Sequence, residues 1–102
     1  MATGSANSAY HSSITGTSTI DTVTLVQNST LVEVYNRAAA GNLFFTTGPS
    51  AADPSINGND CYIIPAGTSD TVPTKRVLAT DNTKVKIISD TTAAVVYSVV
   101  AR

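Results

Sequence analysis

Tryptophan is absent from this 102-residue sequence, and cysteine, histidine and methionine occur once each. Charge is scarce as well: 6 Lys and Arg against 7 Asp and Glu leave a net −1, and only 13% of residues are charged. That share is about half of what a soluble domain usually carries. Each shortage excludes a class of function. A nearly neutral chain has no electrostatic footprint for nucleic acid. No apolar run approaches the ~20 residues that a membrane-crossing helix needs. A soft-metal site needs clustered Cys and His, which single copies cannot supply. A phosphate cradle needs a Gly-rich loop opening a helix, and no helix of useful length is predicted.

The lone Cys61 cannot form an internal disulfide, so the expected compartment of folding is a reducing one. Met1 is followed by Ala-Thr-Gly-Ser-Ala-Asn-Ser, with neither a basic segment nor the apolar stretch of a secretory signal. Cytoplasmic synthesis is the expectation. The sequon Asn28-Ser29-Thr30 then reads as accidental, because glycosylation requires the secretory route.

Hydroxyls and β-branched residues fill the space that charge leaves. There are 16 Thr and 11 Ser, and Val, Ile and Thr together number 34. Such side chains are stiff at χ1 and pack well on a pleated surface, which favours strands. Residues 1–17 stand apart: they carry no formal charge and only two large apolar groups, Tyr10 and Ile14. Too little surface can be buried there to offset ordering, so a flexible N-terminal arm is expected over 1–17, followed by one β domain over 18–102.

From Ser18 onward the period is two. Thr19, Asp21, Val23 and Leu25 alternate with Ile20, Thr22, Thr24 and Val26, and Asn28-Ser29 supplies a turn. Leu31 to Asn36 then resumes with Val32 and Val34 on one face and Glu33 and Tyr35 on the other. These two runs read as a hairpin. Ala38-Ala39-Ala40 is too short to persist as a helix before Gly41-Asn42 turns the chain. Further strands are expected at Leu43 to Thr47, Cys61 to Ile64, Thr71 to Leu78, Thr83 to Ser89 and Ala93 to Ala101. Pro73 confines its strand to an edge or bulge. The last run is apolar on both faces, as in a central or interface strand. About seven short strands with turn chemistry between them predict an all-β fold, a small antiparallel sandwich or barrel. The modest core argues for burial against other copies.

Chemistry is hard to find. His11 lies in the expected arm, where nothing would hold a general base in place. Cys61, beside Tyr62 and Ile63, reads as a core thiol. The pattern Gly-x-Ser-x-Gly is absent, so no hydrolase elbow exists. Asp53-Pro54-Ser55-Ile56-Asn57-Gly58 matches the first six positions of a calcium loop, but Ile64 stands where the closing Glu belongs. Asp60 could supply a carboxylate by another geometry, yet the simpler reading is a polar loop built on Asx and Gly turns. Lys75-Arg76, Lys84 and Lys86 form a small basic group that reads as protection of exposed strands. No catalytic residue, cofactor or metal site is assigned, and the chain is not expected to be an enzyme.

The segment Val32-Glu33-Val34-Tyr35-Asn36-Arg37-Ala38-Ala39-Ala40-Gly41-Asn42-Leu43-Phe44-Phe45-Thr46-Thr47-Gly48 resembles a pattern common in small structural proteins of tailed bacteriophages. There a strand ends in Asn-Arg, a small-residue turn follows, and an aromatic strand leads to a variable loop. The continuation is similar: Asp60 to Gly67, then Val72-Pro73, Val85 to Ser89 and Val96 to Val99. The resemblance covers roughly residues 30–100 and implies a capsid decoration (cement or minor capsid) protein. It further implies a place on the capsid exterior, the major capsid protein as partner, and a homo-oligomer, with a trimer favoured. Synthesis would be in the bacterial cytoplasm, with no nucleic-acid or membrane partner. The arm would add a strand to a sheet edge of the capsid protein, with Tyr10 and Ile14 inferred as its apolar anchors. The rival expectation is a tail or head-fibre module that binds a host receptor or glycan through loops such as 48–60.

Overall fold

The computed structural model describes residues 3–6, 9–25, 30–74 and 82–102. Nine strands and no helix occur among them: β1 (Thr3–Ala6), β2 (Ala9–Ile14), β3 (Asp21–Leu25), β4 (Leu31–Asn36), β5 (Leu43–Gly48), β6 (Tyr62–Ile64), β7 (Ser69–Pro73), β8 (Thr83–Ser89) and β9 (Val95–Ala101). They form a five-stranded sheet in the order β1-β3-β8-β5-β6 and a four-stranded sheet in the order β2-β9-β4-β7.

The order has a simple logic. β2 pairs with β9, β3 with β8, β4 with β7 and β5 with β6, all antiparallel. The chain is therefore one long nested hairpin with its tip in the 49–61 loop. Rolling that hairpin up adds two further contacts, β4 to β9 and β5 to β8. This is the jelly-roll form of the sandwich, two antiparallel sheets of four strands face to face. β1 is an extra edge strand, parallel to β3.

Alternation places the core. Val23 and Leu25 on β3, Val32 and Val34 on β4, Leu43 and Phe45 on β5, Val85 and Ile87 on β8, and Val95, Tyr97 and Val99 on β9 meet between the sheets. Each side chain faces inward at period two, as a half-buried strand requires. β5 is buried on both faces, because the chain after it turns back over its outer side. Thr46 Oγ1 donates to the Ala52 carbonyl, and Lys86 Nζ pairs with Asp53 Oδ1 at 3.0 Å. Pro54 beneath that segment is buried, and so are the outward-facing Phe44 and Ile88.

Three expectations change. The run before residue 27 and the run from Leu31 do not form a hairpin: β3 lies in the five-stranded sheet and β4 in the other. Both strands have one apolar face, and two such faces can meet across a sandwich as well as side by side. The segment 1–17 supplies two strands, β1 on one sheet and β2 on the other. The backbone ladder to β9 orders β2, a cross-strand gain that composition does not register. Cys61 precedes β6, half-buried, and does not sit inside a core strand. Pro73 does end an edge strand, β7. Residues 26–29 and 75–81, which include the Asn28-Ser29 turn and Lys75-Arg76, lie outside the described residues.

Candidate functional site

The two residues expected to anchor a partner are used by the chain itself. Ile14 is 1% exposed in the core, and Tyr10 is half-buried with its ring centroid 6.5 Å from that of Tyr97. Both face inward from β2, so neither is presented to a partner while β2 stays paired to β9. His11, on the opposite face of β2, is exposed and is held in place after all: Nδ1 shares a 2.7 Å hydrogen bond with Oγ of Ser98, directly across the ladder. Ser98 is 3% exposed, in mid-strand. The backbone groups beside that hydroxyl are committed to the ladders with β2 and β4.

The outer face of the four-stranded sheet carries the main polar cluster among the described residues. Glu33 and Tyr35 project from β4, flanked by Ser69 of β7 and Arg102 after β9. Arg102 Nη2 donates to Glu33 Oε1 at 2.5 Å and to the Tyr35 hydroxyl at 3.2 Å, while Ser69 Oγ donates to Glu33 Oε2 at 3.2 Å. The hydrogen bond from Arg102 holds the Glu33 carboxyl below the usual carboxylate range. Glu33 in turn pushes the Tyr35 phenol up. Period-two reading puts Glu33 and Tyr35 on this face, but Ser69 and Arg102 reach it only through strand pairing, so sequence reasoning missed the cluster. Both Glu33 oxygens are engaged within it.

At the tip of the hairpin, Thr46, Gly48, Pro49, Ala52 and Asp60 line an open cleft of about 290 Å³. The calcium-like stretch lies beside it and uses its groups internally. Asp53 is bound to Lys86, and Gly58 N donates to the Ser55 carbonyl at 2.9 Å, closing a turn in which Asn57 has φ +57°. No group of three His, Cys, Asp or Glu side chains able to hold a metal occurs among the described residues. Ile56 and Ile63, near the same end, are 36% and 49% exposed.

Two parts of the resemblance motif, 32–48 and 60–67, meet elsewhere, on Asn36. Its Nδ2 donates to the carbonyls of Gly41 at 2.9 Å and Ile64 at 3.0 Å, and its Oδ1 accepts from Ala38 N at 3.1 Å. Its backbone bonds Thr68 and Gly67. One 2%-exposed residue thus joins the Ala-rich turn and the end of β6 through its side-chain amide, and the Pro65-Ala66-Gly67 turn through its backbone.

No family model matches this chain, and no curated protein matches it. Several solved structures resemble it in fold. PirA is 10% identical with a TM-score of 0.60, covering 95% of each chain. A de novo designed double-stranded β-helix is 10% identical with a TM-score of 0.58, covering 92% of this chain and 97% of that one. CBM_E1, a carbohydrate-binding module from a sugar cane soil metagenome solved with cellopentaose and a gadolinium ion, is 10% identical with a TM-score of 0.55. That match covers 100% of this chain and 91% of the module. At such identities the likeness establishes the fold alone.

Proposed function

We propose that this chain is a non-enzymatic structural protein of a tailed-phage virion, a decoration protein bound to the outside of the major capsid protein lattice. The observation that carries the reading is the resemblance motif, two of whose separated pieces, 32–48 and 60–67, meet at the Asn36 junction. A rigid small sandwich suits the role, since a protein that binds everywhere on a lattice needs matching surfaces and no reacting groups. Low charge suits close packing of many copies, because repulsion accumulates with net charge.

The docking element differs from a free arm. With Tyr10 and Ile14 committed to the core, the exposed large apolar side chains among the described residues are Leu31, Ile56, Ile63 and Val96, and of these Ile56, in the tip loop, and Ile63, on the adjoining β6, are taken as the contacts to the shell. Quantitative mass spectrometry of particles from the source, with heads separated from tails, tests the assignment. Enrichment in heads at a copy number comparable to the capsid protein supports it. Absence from both fractions refutes it.

A second reading, a receptor- or glycan-binding module of a tail or head fibre, is favoured by Tyr35. It is the tyrosine on an outer sheet face, with Glu33, Arg102 and Ser69 around it. Enrichment in tails at a few copies, with glycan binding lost in Tyr35→Ala, would select that reading instead.

A further inference from the structure

Among the described residues the two sheets of the roll end in four edge strands, and they are not alike. An unpaired edge is a row of backbone donors and acceptors that invites another strand, and proteins blunt it with short strands, charge or proline. β6 is three residues long. β7 contains Asp70 and Pro73. β1 has four residues and lies parallel to its neighbour. β2 has none of these devices: six residues, Ala-Tyr-His-Ser-Ser-Ile, pair with β9 in unbroken register from Ala9↔Val100 to Ile14↔Val95. It contains no proline and no Lys, Arg, Asp or Glu.

From this we infer that the edge of β2 left unpaired among the described residues pairs antiparallel with β2 of a second copy of this chain, joining two four-stranded sheets into one across a two-fold axis. The inference does not rest on the virion reading. Three features of β2 suit a second copy as occupant. Antiparallel self-pairing keeps the faces matched when His11 or Ser12 sits on the axis, so Tyr10, Ser12 and Ile14 stay inside and Ala9, His11 and Ser13 stay outside. Like residues then meet without repulsion, since the edge carries no charge. Tyr10, on the inner face of this edge strand, is only half-buried, and an added strand would extend the inner face beside it. The exposed Val96, opposite Ser13, adds apolar surface beside the seam. Such a contact is isologous and closes at two copies.

The test is sedimentation velocity of the full chain over a wide concentration range. A reversible monomer–dimer equilibrium is expected. His11→Lys/Ser13→Lys places like charges directly opposite in either register and should weaken association at least about tenfold. His11→Glu/Ser13→Glu should do the same, and mixing the two variants should restore a 1:1 heterodimer. Restoration by mixing cannot come from misfolded protein, and circular dichroism of each variant alone checks the fold. Thr71→Lys on β7 should leave the dimer intact. A chain monomeric at every concentration, a trimer, or a dimer indifferent to the β2 charges would each overturn the inference.

Discussion

The hydroxyl of Tyr97, on β9, donates a 2.9 Å hydrogen bond to Oδ2 of Asp21, on β3 of the opposite sheet. Tyr97 is 0% exposed and Asp21 2%. A buried carboxylate is costly unless hydrogen-bonded, so this contact ties the two layers together at a defined position. Bonds to charged groups are the stronger kind, and Tyr97→Phe should destabilise the fold by about 2 kcal/mol. In a double-mutant cycle with Asp21→Asn, urea unfolding should reveal losses that do not add.

The same pair gives a pH dependence. Burial, and then the Asp21 hydrogen bond, push the Tyr97 phenol far above its ordinary value. A group whose folded pKa is raised contributes stability that is fully present below the unfolded value, about 10 for tyrosine. That contribution is lost as the pH rises further, because the unfolded chain releases the proton first. Stability should therefore fall above pH ~10 in the native protein, and more weakly in Tyr97→Phe. Ultraviolet titration should find one tyrosine that ionises only on unfolding.

Asn36 should tolerate almost nothing. Asn36→Asp keeps the shape but replaces two donated bonds, to Gly41 and Ile64, with carboxylate–carbonyl repulsion. A loss of about 3 kcal/mol or more is expected from a buried network broken in this way. Thermal unfolding with far-UV detection measures it.

Gly41 and Gly67 separate conformational strain from crowding. Both have positive φ, +93° and +74°. A Cβ at Gly41 would sit 2.7 Å from Thr91 Cγ2 and 3.1 Å from Val95 Cγ2, whereas one at Gly67 would meet nothing within 4 Å. Gly67→Ala should cost only the backbone term, about 1 kcal/mol. Gly41→Ala should cost clearly more, and adding Thr91→Ser, which removes the nearest methyl, should recover part of the difference.

Two substitutions should stabilise. Among the described residues, the hydroxyls of Thr47 and Thr83 are buried with no hydrogen-bond partner. Valine keeps the β-branched shape and removes the unmet polar group, so Thr47→Val and Thr83→Val should each raise stability by about 1 kcal/mol. A loss of stability in urea titrations would mean that the hydroxyls have partners.

Calcium should do nothing to the loop that resembles its site. Asp53 is already bound to Lys86. An ion at about 100 times its Kd would add about 2.7 kcal/mol, several degrees in Tm. An unchanged Tm in millimolar calcium and in EDTA is the expected result.

Much of the architecture is legible in the chain. The strand Thr83–Ser89 has the bounds its alternation predicts, Val32 and Val34 point inward, and the all-β class follows from β-branched residues and turn chemistry. The Asp53–Gly58 stretch reads as turns and is built of them. The Glu33 cluster was half legible, because period two places Glu33 and Tyr35 but not the residues that reach them.

The sequence by itself determined that strands would form over most of the chain from Ser18 onward, that Val32 and Val34 share one face of theirs, and that the last strand is a central or interface one. These are local consequences of side-chain shape and period. Only the tertiary structure decided which strands pair. Periodicity reports that a face is covered, not what covers it, so the 19–36 region read as a hairpin although its halves belong to different sheets. The same gap hid the N-terminal strands. Residues 9–14 have little apolar surface of their own, and it is the ladder to β9, 81 or more residues away along the chain, that places Ile14 in the core and leaves one edge open.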